Sequence, residues 1–136
     1  MEFLRAKEVR LISTTNGKTD EMRVYTSHDM SQTFYASMRS LENQQLQLVI
    51  CFDAAHPAPK RVSLSVKQYT MKPFEVWCAL YKRNKRTPYN RFKFGEIRSI
   101  FDIEEDTTRI VFELLKPEGE GRFAKVDISV NYVKFQ

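Results

Sequence analysis

RVSLSVKQY, residues 61–69, alternates apolar and polar side chains more regularly than any other stretch of the chain. Val62, Leu64 and Val66 fall on one face of an extended chain, and the residues between them are polar. A period of two residues is typical of a β-strand with one buried and one solvent-facing side. The stretch therefore predicts a strand and favours a β-rich domain around it.

Further strands are predicted on both sides of this stretch. LQLVICF (46–52) is dense in apolar residues, and the two prolines of HPAP (56–59) end it because proline cannot donate to a sheet ladder. Asn16-Gly17, near the N-terminus, is a strong signal for a hairpin. The full set of predicted strands covers residues 2–12, 22–26, 46–52, 61–69, 91–101, 109–115 and 122–135.

A short helix is predicted between the second and third of these strands. Asp29 and Gln32 have the spacing of a capping box, which closes the first turn of a helix. Apolar side chains then recur at helical intervals, at Phe34, Met38 and Leu41. The segment therefore predicts a helix with one apolar face.

A second helix is predicted over about residues 73–85, because Pro73 suits the first helical turn. Its apolar positions at helical spacing are Phe74, Trp77, Cys78 and Tyr81. The chain as a whole, residues 1–136, is predicted to be one β-rich α+β domain. It would have a strongly bent antiparallel sheet or a partly closed barrel of about seven strands, carrying two short helices.

Composition indicates an intracellular globular protein. The chain has 136 residues, of which 42% are hydrophobic, enough for a core of its own. No apolar run approaches the ~20 residues that a membrane span needs, and the N-terminus lacks the pattern of a signal peptide. Cys51 and Cys78 lie in apolar patterns, which favours buried, reduced thiols. We therefore expect a cytoplasmic protein without a membrane partner.

The basic character of the chain is concentrated in KRNKRTPYNRFKF, residues 82–94. This segment contains no acidic residue, and its six cations are Lys82, Arg83, Lys85, Arg86, Arg91 and Lys93. Because the net charge of the whole chain is +5, the remaining residues carry no positive excess. A local excess of this kind is what an anion-binding face requires.

The segment predicts a non-enzymatic protein that binds nucleic acid largely without regard to its sequence. Lysine and arginine side chains displace the counterions of a phosphate backbone, and an aromatic ring can stack on an unpaired base. The candidate binding residues are Lys82, Arg83, Lys85, Arg86, Tyr89, Arg91 and Lys93. No duplex-reading motif occurs in the chain, so single-stranded DNA or RNA is favoured.

Two other interpretations of the segment remain open. Cations at the C-terminal end of a helix stabilise the helix dipole, and Phe92 and Phe94 can be ordinary core residues. Alternatively, the chain is a protein-interaction or assembly module whose basic segment meets an acidic partner. The edges of an open sheet would allow such a module to form homo-oligomers.

Signals for catalysis, metals and cofactors are weak throughout the sequence. His28 and His56 are the two histidines, and no spacing typical of a zinc site occurs. Cys51 and His56 lie close in sequence, but nothing nearby indicates how the thiol would be activated. We therefore expect neither an enzyme nor a bound metal or cofactor.

Overall fold

The computed structural model shows a chain built from β-strands. It describes the backbone of residues 6–15, 18–22, 25–26, 34–40, 44–69, 75–94, 100–115 and 124–132, and the side chains of 6–12, 14, 46–63, 75–93 and 100–115. These ranges contain no helix. The strands are β1 (Glu8–Thr15), β2 (Lys18–Met22), β3 (Tyr25–Thr26), β4 (Phe34–Ser40), β5 (Gln44–Cys51), β6 (Arg61–Tyr69), β7 (Glu75–Lys82), β8 (Asn90–Phe94), β9 (Ile100–Asp102), β10 (Thr107–Leu115) and β11 (Ala124–Tyr132).

The strands form two antiparallel sheets. The first has six strands in the order β2-β1-β5-β10-β7-β8, and the second has five in the order β3-β4-β11-β6-β9. Within the described part of the chain, the outermost strands of each sheet do not pair with one another. The predicted strand-rich fold is therefore confirmed, whereas the predicted closure into a barrel is not.

The inner face of the first sheet carries the main core. Alternate residues of its central strands point inward, as period-two burial requires. The inward residues of β5, β7 and β10 are Leu46, Leu48, Ile50, Val76, Cys78, Leu80, Ile110, Phe112 and Leu114, and all are buried. At about 25 cal/mol per Å² of apolar surface removed from water, such a cluster is the principal stabilising element of the fold.

The two strands at one edge of the second sheet, β6 and β9, contribute side chains to the same core. Val62 on β6 and Phe101 on β9 are buried in the cluster formed by the first sheet. The Phe101 ring meets the rings of Phe92 and Phe112 edge-on, with centroids 5.2 and 6.1 Å apart. These contacts pack β9 against β8 and β10, and so place the β9–β10 loop beside the end of the β7–β8 hairpin.

Several strands lie where the alternation of the sequence predicts them. The strand over residues 61–69 is β6, and β10 includes the predicted residues 109–115. β1 and β2 pair as a hairpin, with Thr15 opposite Lys18. Residues 16–17 themselves lie outside the described residues. Cys51 and Cys78 are both free thiols.

The predicted helix over residues 73–85 is wrong, because residues 75–82 form the strand β7. β7 lies inside the first sheet, between β10 and β8, and carries apolar residues on both faces. When both faces of a strand are buried, nearly every residue in its sequence is apolar. Such a sequence contains apolar intervals of three and four residues, and these intervals imitate the stripe of a helix.

The other predicted helix is also a strand where the structure describes it. Residues 34–40 form β4, in which Phe34 pairs with Val130 and Met38 with Val126 of β11. An interval of four residues puts two side chains on one face of a strand as well as of a helix. Residues 29, 32 and 41, which completed the helical pattern, lie outside the described residues.

Candidate nucleic-acid interface

The basic segment forms the β7–β8 hairpin. The backbone N–H of Lys85 donates to the carbonyl of Lys82 at 3.3 Å, which closes a four-residue turn. Asn84 occupies the third position of this turn with φ 59°, a left-handed conformation that asparagine adopts more readily than most residues. The N–H of Tyr89 donates to the carbonyl of Leu80 at 2.9 Å, and the pairing between β7 and β8 resumes at this point. The hairpin therefore gathers the cations of residues 82–86 at one end of the first sheet.

Pairing within the hairpin separates the cations of β8 from its core residue. Arg91 lies opposite Ala79 and Lys93 opposite Trp77, whereas Phe92 lies opposite the buried Cys78. Phe92 packs against the core. Arg91 and Lys93 therefore lie on the outer face of the sheet, as their alternation with Phe92 predicts.

Three of the predicted phosphate-binding cations are paired with carboxylates. Lys82 Nζ lies 2.6 Å from Glu104 Oε2, and this hydrogen bond raises the pKa of Lys82. Arg91 Nη2 lies 3.4 Å from Glu113, and Lys93 Nζ lies 3.9 Å from Glu75. Because these carboxylates already share the positive charge, the three cations are weaker candidates for a phosphate than the sequence indicates.

Tyr89, the aromatic residue among the predicted binding residues, packs against the core. Its hydroxyl lies 2.6 Å from Thr107 Oγ1 and accepts the backbone N–H of Glu104 at 3.2 Å. Its ring is partly buried against the core, and Lys82 Nζ lies 5.2 Å from the ring centroid. Tyr89 therefore anchors the hairpin to the β9–β10 loop and does not share the outer face with Arg91 and Lys93.

Substitutions at Tyr89 will separate anchoring from base stacking. We expect Tyr89→Phe to lower the free energy of unfolding by about 1–2 kcal/mol, because two hydrogen bonds are lost. Tyr89→Leu also removes the ring and should leave affinity for single-stranded nucleic acid within about twofold. Urea unfolding and fluorescence anisotropy measure the two effects. A loss of affinity of fivefold or more in the folded Tyr89→Leu variant would show that the ring does stack on a base.

The remaining cations of the turn line a cleft. Arg83, Lys85 and Arg86 are exposed, and none of them forms an ion pair within the described residues. The cleft has a volume of about 570 Å³ and is lined by Cys51, Lys82, Arg83, Asn84, Lys85, Arg86, Thr108 and Arg109. No acidic side chain is among these lining residues, so the cleft is a region of concentrated positive charge.

Arg109 also lines this cleft, although no motif in the sequence indicates it. The pairing of β10 with β7 shifts between Thr107 and Arg109, and this bulge places Arg109 opposite Tyr81. Its guanidinium stacks on the Tyr81 ring, 4.1 Å from the centroid. Its Nε is buried and has no hydrogen-bond partner among the described residues. A buried donor left unsatisfied costs about 1–3 kcal/mol.

The outer face of the first sheet continues from the cleft. A second guanidinium, that of Arg91, stacks on Trp77 at 4.1 Å from the ring centroid. Trp77 and Tyr81 are four residues apart on β7, so the two stacks lie about 13 Å apart along the strand. The surface between them is built from small or apolar side chains, with Ala79 and Val111 buried. The cleft and the two stacks thus form one side of the molecule.

Two acidic residues line a second cleft beside the hairpin. This smaller cleft of about 340 Å³ is lined by Tyr89, Asn90, Asp102, Ile103 and Glu104. Its two carboxylates would repel a phosphate, in contrast to the acid-free cleft at residues 82–86. The absence of carboxylates from the lining of the larger cleft would favour the approach of a polyanion to the turn.

Metal-binding groups and membrane-spanning helices are both absent from the described residues. They include no group of three or more His, Cys, Asp or Glu side chains placed to hold a metal ion. None of the described segments is a helix with the length and apolar character needed to cross a membrane. His56 is exposed and its ring lies 3.1 Å from Asp53 within a tight turn. Comparison of the chain with protein-family models, with curated proteins and with solved structures finds no match.

Proposed function

We propose that this protein is a non-enzymatic binding protein for single-stranded nucleic acid. The observation that carries the proposal is the acid-free cleft of about 570 Å³ that Arg83, Lys85, Arg86 and Arg109 line. Each of these cations can displace a counterion condensed on a phosphate backbone, and this release drives binding. Arginine adds a planar fork that matches two phosphate oxygens at once.

The outer face favours a single strand over a duplex. The guanidinium planes of Arg91 and Arg109 lie on aromatic rings, and each plane has a second side on which an unpaired base can stack. The described residues offer no helix that could enter a major groove. Because every base can stack, we expect the affinity to depend little on nucleotide sequence. Either DNA or RNA would serve as the ligand.

The proposed contacts differ in part from those predicted from sequence. Arg83, Lys85 and Arg86 keep their predicted role, and Arg109 joins them. Lys82, Arg91 and Lys93 become secondary contacts because carboxylates share their charge. Tyr89 has a structural role instead.

Salt dependence provides the direct test of this proposal. If Arg83, Lys85, Arg86 and Arg109 each neutralise one phosphate, the logarithm of the association constant should fall with the logarithm of salt concentration at a slope near −3. Fluorescence anisotropy with labelled single-stranded DNA and RNA measures this slope, and a duplex of the same length is the control. Equal or tighter binding of the duplex would contradict the preference for single strands.

Protein assembly is the second candidate function. Ile100 lies on β9 at the edge of the second sheet and is 46% exposed, which is unusual for a large apolar side chain. Apolar residues on open edges are typical of surfaces that pair with another chain. If neither DNA nor RNA binds even at low salt, assembly through this edge becomes the better account.

A further inference from the structure

The cleft at residues 82–86 is an open recess that is large enough to receive a phosphate group. Its volume of about 570 Å³ falls within the roughly 300–1,000 Å³ that is usual for small-molecule sites. The turn bounds one side, and Thr108, Arg109 and Cys51 bound the other. The cleft is open to solvent, and its lining brings the cations of the turn together with Arg109 of β10.

The charge of the cleft exceeds what an internal phosphodiester would neutralise. An internal phosphodiester carries one negative charge and two free oxygens. A terminal phosphate monoester carries about −1.5 to −2 at pH 7 and has three acceptor oxygens. Lys82 shares its charge with Glu104, but Arg109 and the nearest cation of the turn remain to meet such a group, while the other turn cations contact neighbouring phosphates of the strand.

Arg109 supplies a donor whose position is fixed. Stacking on Tyr81 holds the guanidinium in place, and its Nε–H has no acceptor among the described residues. The two Nη groups of the guanidinium form a fork that can bind two oxygens of the same phosphate. The additional oxygen of a terminal phosphate leaves an acceptor for the cations of the turn.

We infer that the cleft binds the terminal phosphate monoester of a nucleic-acid strand, so the protein recognises phosphorylated strand ends. The inference rests on the proposed function and adds to it the part of the ligand that enters the cleft. A 5′-phosphate and a 3′-phosphate present the same chemical group. The experiment therefore has one arm for each.

The test compares three oligothymidylates of equal length, one with a 5′-phosphate, one with a 3′-phosphate and one with hydroxyls at both ends. Competition against a labelled strand, followed by fluorescence anisotropy, gives their relative affinities. We expect at least one phosphorylated strand to bind about tenfold more tightly than the hydroxyl-ended strand. The preference should shrink below about pH 6, where the terminal phosphate loses its second charge.

Variants of the cleft provide the matched comparison. Arg109→Lys keeps the charge but removes the planar fork, and should reduce the preference for the phosphorylated end by about tenfold. Arg86→Gln alters an exposed turn residue, so it tests the same cleft should Arg109→Lys fail to fold. It should also reduce the preference. Lys60→Gln, an exposed lysine that does not line the cleft, should leave the preference unchanged.

The possible outcomes separate this inference from the proposed function. Equal affinity for all three strands would overturn the recognition of strand ends and leave single-strand binding in place. A preference that survives both cleft variants would also overturn it, because the selecting group would then lie elsewhere. Absence of binding by any strand at low salt would overturn both proposals.

Discussion

Replacing Arg83, Lys85 and Arg86 together by glutamate is expected to abolish binding of single-stranded nucleic acid at physiological salt. These three side chains are exposed and make no ion pair within the described residues, so their charge is directed to solvent. With only Arg109 left in the cleft as an unpaired cation, the salt slope should fall from near −3 to about −1. Anisotropy titrations at several salt concentrations measure both effects, and circular dichroism should show an unchanged fold.

Single substitutions supply the control for overall charge. Lys85→Glu and Lys60→Glu alter the net charge of the protein equally, and both lysines are exposed. Only Lys85 lines the cleft, so only Lys85→Glu should weaken binding substantially. Equal losses from the two variants would show that net charge matters and that the cleft does not. Unchanged affinity in the triple variant would refute the assignment of the interface.

Phe112→Ala is expected to cause the largest loss of stability, about 3–5 kcal/mol. The Phe112 side chain is 0% exposed and lies in the middle of β10, where it contacts the Phe101 ring of the second sheet. Its truncation leaves a cavity that the strands on either side of β10 cannot fill. Urea denaturation followed by intrinsic fluorescence gives the change in free energy of unfolding.

Ile100→Ala is the matched control for this substitution. Ile100 is also a large apolar residue, but it is 46% exposed at the edge strand β9. Its truncation should change the free energy of unfolding by no more than about 0.5 kcal/mol. If both variants lost the same stability, the core would not be centred on the inner face of the first sheet.

Strands with one buried face could be predicted from this sequence, and strands with two apolar faces could not. Residues 61–69 alternate cleanly and form β6 as predicted. Residues 75–82 form β7 but read as a helix, because their outer-face residues are apolar too. The spacing of apolar residues indicates which face of a strand or helix is buried. It cannot distinguish a strand from a helix when both faces are apolar.

The candidate site was predicted only as far as it is contiguous in sequence. Arg83, Lys85 and Arg86 lie together in one turn, and their clustering is visible in the chain itself. The pairing of Lys82 with Glu104, and the placement of Arg109 beside Tyr81, depend on contacts between separate strands. Such contacts follow from strand order and register, which a single sequence does not fix.

The stacking of Arg109 on Tyr81 implies that the cations of the cleft act at different stages of binding. The exposed side chains of Arg83, Lys85 and Arg86 can reach toward an approaching polyanion, so their field governs the rate of capture. Arg109 has already lost its rotational freedom during folding, and a bond to it requires no further ordering. In the proposed complex, the residence time should therefore depend mainly on the guanidinium of Arg109, and the rate of encounter on the three exposed cations.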